Sequence, residues 1–154
     1  MTDVTDLEIL QELQKDGRIS LRKISENLDK SPSTVSNRFQ EMSQTGIIRN
    51  FHPDINLQKI GLELSGITQI KANGKKMSKI KEELLKFDFI EKVYIVTGET
   101  DIMALGRFQD REEMNKSVQE IQKLEGVEDS KTNLILEEED RTASLNRLMK
   151  PKNE

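Results

Sequence analysis

The chain has 154 residues, of which 34% are hydrophobic and 34% charged, with a net charge of -4, one His and no Cys. This length suits one ordinary domain or two small ones, and two small ones would need oligomerisation because each buries little surface. The lack of Cys excludes disulfides and thiolate metal sites, so no cofactor is predicted. The first residues do not resemble a signal peptide and no stretch approaches the roughly 20 apolar residues of a membrane span, so we expect a cytoplasmic protein without a membrane partner.

The negative charge is concentrated away from residues 30–50. Net acidity disfavours nucleic-acid binding, because Lys and Arg neutralise phosphates. However, residues 30–50 contain three basic residues against Glu41 alone, and a run of four acidic residues lies at 137–140. A DNA-binding segment at 30–50 is therefore compatible with the overall charge.

Two short helices are predicted at the start of the chain. Thr5 and Glu8 have the spacing of a capping box, which predicts a helix from Thr5 that ends at Asp16-Gly17. Ser20 is the predicted N-cap of the second helix. The break at Asp29-Lys30 follows it closely.

The third helix has the clearest end signals. Ser31 is its predicted N-cap, Pro32 its first residue, and Gly46 its left-handed end. Two short helices joined by a tight turn are typical of a helix-turn-helix. The alternating segment Ile47–Phe51 predicts a strand of a β wing, with a turn at residues 52–54.

A second domain follows a connector with one helical turn at residues 54–61. Its periodicity alternates between that of strands and that of helices, in the order βαββαβ. The fold class is therefore predicted as α+β: an N-terminal winged helix-turn-helix at 2–62, a C-terminal ferredoxin-like βαββαβ domain at 63–138 and a C-terminal tail at 139–154. The predicted elements are a strand at 64–72, a helix at 75–87, strands at 90–96 and 102–108, a helix at 111–124 and a strand at 127–136.

The third helix has an uncharged polar face opposite its apolar face of Val35, Phe39 and Met42. At 100° per residue, that face is formed by Ser33, Asn37, Gln40 and Gln44. Asn and Gln can bond to adenine through two hydrogen bonds, as direct readout in the major groove requires. The predicted DNA-binding residues, including flanking groups for phosphate, are Ser31, Ser33, Thr34, Ser36, Asn37, Arg38, Gln40, Gln44 and Arg49.

Each of these assignments has a plainer alternative. The polar face of the third helix can simply be a solvated surface. Arg38 can pair with an acidic residue of the first or second helix instead of a phosphate. Arg49 and His52 can contact DNA from the wing or belong to a solvated hairpin.

Short motifs spread over nearly the whole chain match a single family. They are Asp6 with Ile9-Leu10, then 16–18, 31–38, 46–48, 93–96, 97–101 and 126–127. With these motifs the chain resembles the Lrp/AsnC family, the feast/famine regulators. It departs from the usual pattern at Lys23, where the family often has Glu, and in a tail that extends beyond the last strand. Leu145, Leu148 and Met149 have helical spacing in that tail, which either docks on a neighbouring subunit or frays.

The resemblance implies a winged helix-turn-helix that binds palindromic, double-stranded promoter DNA. It further implies an α/β domain that forms a homodimer through its sheets, often assembled into octamers, and an amino-acid effector near a Gly-x-x-Asp turn. Carried over, the effector residues are Thr97, Gly98, Glu99, Thr100 and Asp101, with Asp101 placed to pair with an ammonium group and Glu99 favouring a basic amino acid. The alternative is that this turn is an ordinary hairpin.

Two other function classes compete with a specific regulator. Some relatives of this fold decarboxylate tetrapyrroles with histidines, but His52 is the only His and lies in the predicted wing, so we predict that the protein is not an enzyme. An architectural protein that coats DNA needs a dense basic surface, which a net charge of -4 disfavours. The ratio of specific to non-specific DNA affinity separates that class from a regulator.

Overall fold

The computed structural model describes residues 2–139 and 141–149, which form two compact units. The N-terminal unit extends to Pro53 and includes the described tail residues, and the second unit spans Asp54–Glu139. The sequence-based ranges 2–62, 63–138 and 139–154 differ from this division, because they placed the connector with the first unit and set the tail apart. No helix in the described ranges is long and apolar enough to cross a membrane.

The N-terminal unit contains three helices around one apolar core. They are α1 (Val4–Lys15), α2 (Leu21–Asn27) and α3 (Pro32–Gln44). Ile9, Ile24, Val35 and Met42 come from all three helices and are almost fully buried against one another. Burial of such side chains is the main source of stability in a small helical unit.

The helix starts agree with two of the three predicted caps. Ser20 accepts a hydrogen bond from the Lys23 amide, and Ser31 caps α3. The capping box predicted at Thr5 and Glu8 is wrong, because the box is formed two residues earlier, by Asp3 and Asp6. Each of these two aspartates accepts a hydrogen bond from the other's backbone amide, at 2.9 and 3.0 Å.

The predicted wing strand at Ile47–Phe51 is wrong, since residues 47–53 contain no strand. The sheet of the described residues belongs wholly to the second unit, so this segment has no partner strand to complete its backbone hydrogen bonds. Instead, the Phe51 ring stacks on Phe39 of α3 with ring centroids 6.3 Å apart. Gly46, at φ +75°, turns the chain back towards the end of α3, where the Ile48 amide donates to the Met42 carbonyl at 3.0 Å.

The second unit has the predicted ferredoxin-like topology. Its elements are β1 (Leu64–Ala72), α4 (Met77–Leu84), β2 (Ile90–Ile95), β3 (Ile102–Phe108), α5 (Arg111–Gln122) and β4 (Val127–Leu134). The strands pair antiparallel in the order β2-β3-β1-β4. Both helices pack on one face of the sheet, where Ile70, Ile80, Leu84, Ile102 and Ile121 are buried together.

Element ends differ from the prediction mainly at α4. The predicted helix at 75–87 is a 3-10 turn at Gly74–Lys76, capped by the Asn73 side chain, followed by α4 itself. The connector has a second 3-10 turn at Gln58–Ile60. In the tail, α6 (Asn146–Met149) lies against α1, and the Gln11 side chain donates to the Asn146 side chain at 2.7 Å.

Candidate DNA-binding surface and effector turn

The four residues predicted to read bases lie exposed on the outer side of α3. Val35 and Met42 are 0% and 2% exposed on its inner side, whereas Ser33, Asn37, Gln40 and Gln44 are exposed. We call these four residues the outer face of α3. Their amides and hydroxyl make no hydrogen bond that would hold them to another element of the unit, so they are available to a groove of DNA.

Hydroxyl groups cluster at the N-terminal end of α3. Ser31 Oγ accepts from the Thr34 amide at 3.1 Å and lies 2.7 Å from Thr34 Oγ1 and 3.0 Å from Ser33 Oγ. Ser36 is half-buried in the next turn. A helix N-terminus with exposed hydroxyls suits a phosphate, because its free amides and its dipole favour an anion.

Arg38 connects α3 to the start of α1. Its guanidinium lies 2.5 Å from the Asp3 carboxylate and 3.8 Å from that of Asp6, which is 4% exposed. The pKa of Asp3 is lowered, mainly by the hydrogen bond from the Asp6 amide and further by Arg38. Of the two alternatives that the sequence left open for Arg38, the structure contains the ion pair with the start of α1. Its contact with phosphate stays a prediction.

Arg49 is the predicted cation that stays open to solvent. It is exposed, and it forms no ion pair within residues 2–139 and 141–149. Arg18, in the turn before α2, has the same two properties but was not among the predicted DNA-binding residues. Its position in an exposed turn beside the helix-turn-helix was the signal available for finding it.

The predicted effector turn, residues 97–101, joins β2 to β3. Gly98 adopts φ +119°, a conformation that favours glycine. Thr97 and Glu99 are exposed, while Thr100 and Asp101 are half-buried. The turn therefore presents Thr97, Glu99 and its own backbone to solvent.

Asp101 fastens this turn to the end of β1. Its Oδ2 accepts from the Ala72 amide at 2.9 Å, and its own amide donates to the Ile70 carbonyl at 3.1 Å. Its carbonyl also accepts from the Val96 amide, at 3.0 Å. The pairing of β1 with β4 has an irregularity between Lys71 and Ala72, so Asp101 binds β1 where the regular ladder ends.

The sheet face without helices holds an apolar groove of about 330 Å³. Ile67, Met103 and Leu105 form its floor on the two central strands, and Tyr94 and Ile135 lie at its sides. Tyr94 is 50% exposed. An open apolar sheet face of this kind is typical of a surface that another layer of protein covers.

Arg107 binds Glu138, one of the residues that line this groove. Its guanidinium makes two hydrogen bonds with Glu138, at 2.7 and 2.9 Å, and a third with Glu91 at 2.7 Å. These bonds lower the pKa of Glu138 and tie the chain after β4 to β3 and β2. The sequence did not reveal this link, since the acidic run at 137–140 carries no signal for its partner. No cluster of three or more metal-ligating side chains occurs within residues 2–139 and 141–149.

Two protein families match the chain, one for each unit. Residues 2–49 match the family described as winged helix-turn-helix DNA-binding, and residues 65–145 match the Lrp/AsnC ligand binding domain. The chain belongs to the Lrp/AsnC family. It is thus a DNA-binding transcriptional regulator of the Lrp/AsnC type, as the sequence predicted.

Individual Lrp/AsnC relatives resemble the chain over most of its length. An HTH-type transcriptional regulator of Pyrococcus abyssi is 38% identical over 89% of this chain and 93% of its own. Ptr1 of Methanocaldococcus jannaschii is 34% identical over 88% of this chain and 93% of its own. Among solved structures, Escherichia coli AsnC superposes with a TM-score of 0.86 at 20% identity, covering 94% of this chain and 98% of its own. The regulator NMB0573 of Neisseria meningitidis, solved as a complex with L-Met, superposes with a TM-score of 0.87 at 26% identity. The match covers 96% of this chain and 99% of its own.

Proposed function

We propose that the protein binds palindromic promoter DNA as a homodimer through the outer face of α3, and that an amino acid bound at residues 97–101 modulates this binding. The observation that carries the proposal is the outer face itself. Asn37 and Gln40 present amides one turn apart on a helix whose opposite side is buried. Each amide can make two hydrogen bonds to an adenine edge, which is a specific contact.

The apolar groove of the sheet supports the dimer. In a single protomer Ile67 and Met103 are half-buried and Tyr94 is 50% exposed, and pairing two copies through this face would bury them further. A two-fold dimer has two α3 helices, and reading two half-sites about 34 Å apart would double the base contacts. The family pattern further implies that such dimers assemble into octamers, and we include this assembly in the proposal.

An amino acid is the proposed effector because the turn offers complementary groups. Its backbone at Gly98 can approach a ligand carboxylate closely, and the exposed Glu99 carboxylate can pair with a cationic group. NMB0573, which shares the fold over nearly all of this chain, was solved with L-Met. We assign the protein no catalytic role, since its one imidazole, His52, is exposed in the N-terminal unit.

DNA reading is tested with a duplex selected by the protein from a random-sequence library. Fluorescence anisotropy compares that duplex with a scrambled one for the wild type, Asn37→Ala and the control Gln119→Ala, an exposed amide on α5. We expect the wild type to prefer its site by about 10³-fold or more. Asn37→Ala should lose about 10-fold on the selected site, because a bidentate base contact contributes about 1–3 kcal/mol. Equal binding to both duplexes, or equal losses in the two variants, would contradict the proposal.

The dimer is tested separately by sedimentation. Tyr94→Asp places a charge at the side of the groove, and Leu85→Asp places one on a similarly exposed leucine of the other face. We expect only Tyr94→Asp to shift the protein to monomer at micromolar concentration. A wild type that is monomeric, or a Tyr94→Asp variant that remains dimeric, would refute pairing through this face.

A further inference from the structure

The N-terminal unit has few free cations for a protein that binds DNA. Its described residues, 2–53 and 141–149, contain nine basic and eight acidic residues. Lys15, Lys30 and Arg38 each pair with a carboxylate of α1, and Arg22 and Lys23 share Glu26. The cations without an ion pair in these two ranges are those of four arginines, two of them in the tail. Because non-specific affinity depends on the number of phosphates neutralised, this unit alone supplies little of it.

The positive charge of the chain is concentrated instead around α4. Residues 71–86 contain six lysines and two acidic residues. The rest of the second unit, residues 54–70 and 87–139, contains seven basic and sixteen acidic residues. Residues 71–86, from the end of β1 to just beyond α4, thus carry a net charge of +4 on a unit that is otherwise strongly acidic.

Four lysines, in and beside α4 and at the end of α5, lie around the carboxylates of Glu83 and Glu125. Lys76 and Lys79 both contact Glu125, at 2.5 and 3.0 Å. Lys79 also lines a cleft of about 330 Å³ together with Lys123, Glu83 and Glu125. Lys86 pairs with Glu83, and Lys75 is exposed in the turn before the helix. We call this surface the lysine face: Lys75, Lys76, Lys79, Lys86 and Lys123.

The ion pairs of the lysine face leave it open to an anion. The Lys79 and Lys86 side chains are 60% and 68% exposed despite their pairs, and exposed pairs of this kind contribute little to stability. The flanking lysines lower the pKa of Glu125 to about 2, which indicates a positive potential at this carboxylate. A phosphate can therefore join or replace Glu125 among these lysines at small cost.

We propose that the lysine face binds the sugar-phosphate backbone of DNA that flanks the site read by α3. This inference rests on the proposed function, and it assigns phosphate neutralisation to the second unit and base reading to the first. Duplex DNA is the occupant that the charge favours, because a row of exposed ammonium groups complements a row of phosphates. The binding is independent of sequence and lengthens the contact with DNA beyond the palindrome.

The test compares two duplexes with the same selected site, one ending at the site and one extended by two helical turns on each side. The face variant is Lys75→Gln/Lys79→Gln/Lys86→Gln. The control variant, Lys59→Gln/Arg111→Gln/Lys116→Gln, removes the same charge from exposed basic residues of the unit outside residues 71–86. Affinity is measured by anisotropy from low to moderate salt, with unfolding temperatures to verify that both variants are folded.

We expect the wild type and the control variant to bind the extended duplex more tightly and with a steeper salt dependence than the short one. The face variant should bind the short duplex within about 2-fold of the wild type. On the extended duplex it should lose at least about 10-fold at low salt and about 2–3 units of the slope of log affinity against log salt, since each phosphate contact contributes about 0.9.

Three results would overturn the proposal. The first is a wild type whose log affinity depends on log salt with the same slope for both duplexes. The second is an equal loss of that slope in the face variant and the control variant. The face variant can also keep the wild-type slope while its sedimentation shows a changed oligomer, which would assign the lysine face to contacts between copies. Failure of the wild type to prefer the selected site would instead contradict base reading by α3, and the slope comparison would still decide the role of the lysine face.

Discussion

The Asp101 carboxylate accepts a hydrogen bond from the Ala72 amide at 2.9 Å. This bond crosses from the turn between β2 and β3 to the last residue of β1. It satisfies a backbone amide that the β1–β3 ladder, which ends at the pair Ile70 and Ile102, does not reach. Asp101 therefore positions the effector turn, whether or not its charge also contacts a ligand.

Asp101→Asn and Asp101→Ala separate these two roles. An Asn oxygen can still accept from Ala72, whereas Ala cannot. We expect amide exchange at Ala72 to rise by about 10-fold or more in Asp101→Ala and by less than about 3-fold in Asp101→Asn. Asp88→Ala, which removes an exposed carboxylate before β2, should leave it unchanged.

Measuring L-Met binding by the same variants tests whether the negative charge of Asp101 contacts the ligand. If Asp101 acts by positioning, Asp101→Asn retains any affinity that the wild type has for L-Met. Loss of that affinity in Asp101→Asn, with Ala72 still protected from exchange, would show that the carboxylate pairs directly with the ligand.

Arg38→Ala is expected to act on stability more than on DNA affinity. It removes the cation beside Asp3 and leaves Asp6, which is 4% exposed, without its charged neighbour. The free energy of unfolding should fall by about 1–3 kcal/mol, as for a buried acceptor that loses a partner. Thermal unfolding should show this loss for Arg38→Ala and not for the exposed control Arg18→Ala. If Arg38→Ala kept its stability but its DNA affinity depended much less on salt, the result would instead indicate a phosphate contact.

Glu12 should make the N-terminal unit sensitive to acid. Its pKa is lowered from 4.5, first by the hydrogen bond from Lys15 and then by that from Asn27. A carboxyl group whose pKa is lower in the folded state stabilises the fold above its unfolded pKa and loses this effect as pH falls through the folded pKa. We therefore expect the unfolding temperature of the wild type to fall more steeply below about pH 4.5 than that of Glu12→Gln.

The matched control for Glu12 is Glu26→Gln, since Glu26 pairs only at the surface. It should keep the wild-type slope in the same series of melts. Parallel curves for the wild type and Glu12→Gln between pH 7 and 3 would contradict the prediction.

Gly126 and Gly61 allow backbone strain to be separated from steric contact. Both have positive φ, at +98° and +101°. A Cβ at residue 126 would lie 2.8 Å from Lys76 Cβ and 3.2 Å from Ile80 Cδ1, whereas one at residue 61 would meet nothing within 4 Å. Both alanine variants should be destabilised by about 1 kcal/mol of strain, and Gly126→Ala by about 1–3 kcal/mol more. Denaturant titration measures the free energy of unfolding of both variants. Equal losses of stability in Gly61→Ala and Gly126→Ala would refute the steric contribution at residue 126.

The sequence was most informative where a pattern had one interpretation. The strands at 64–72 and 102–108 were predicted with the bounds that the structure has. The first alternates in polarity, and the second follows directly on the turn signal at 98–101. The start of α1 was misplaced because two pairs, Asp3 with Asp6 and Thr5 with Glu8, have the same spacing. The wing strand failed for another reason: alternation predicts a strand only where a partner strand exists, and sequence does not show the partner.

The candidate sites show the same limit. The outer face of α3 follows from helical periodicity alone, so its exposed residues could be named in advance. The partners of Arg38, Asp101 and Arg107 are distant along the chain. Local spacing carries no information on such pairs, and each had to be seen in three dimensions.

Asp3 performs two tasks at the very start of the described chain. It caps α1 through the Asp6 amide, and it contacts Arg38 in the middle of α3. Trimming the chain by three residues would therefore unravel the first turn of α1 and release Arg38 in one step. An affinity tag fused at this end, or a protease that cleaves it, therefore acts next to the helix proposed to read DNA. The stability of preparations that differ only at their N-terminus should be compared before their DNA affinities are compared.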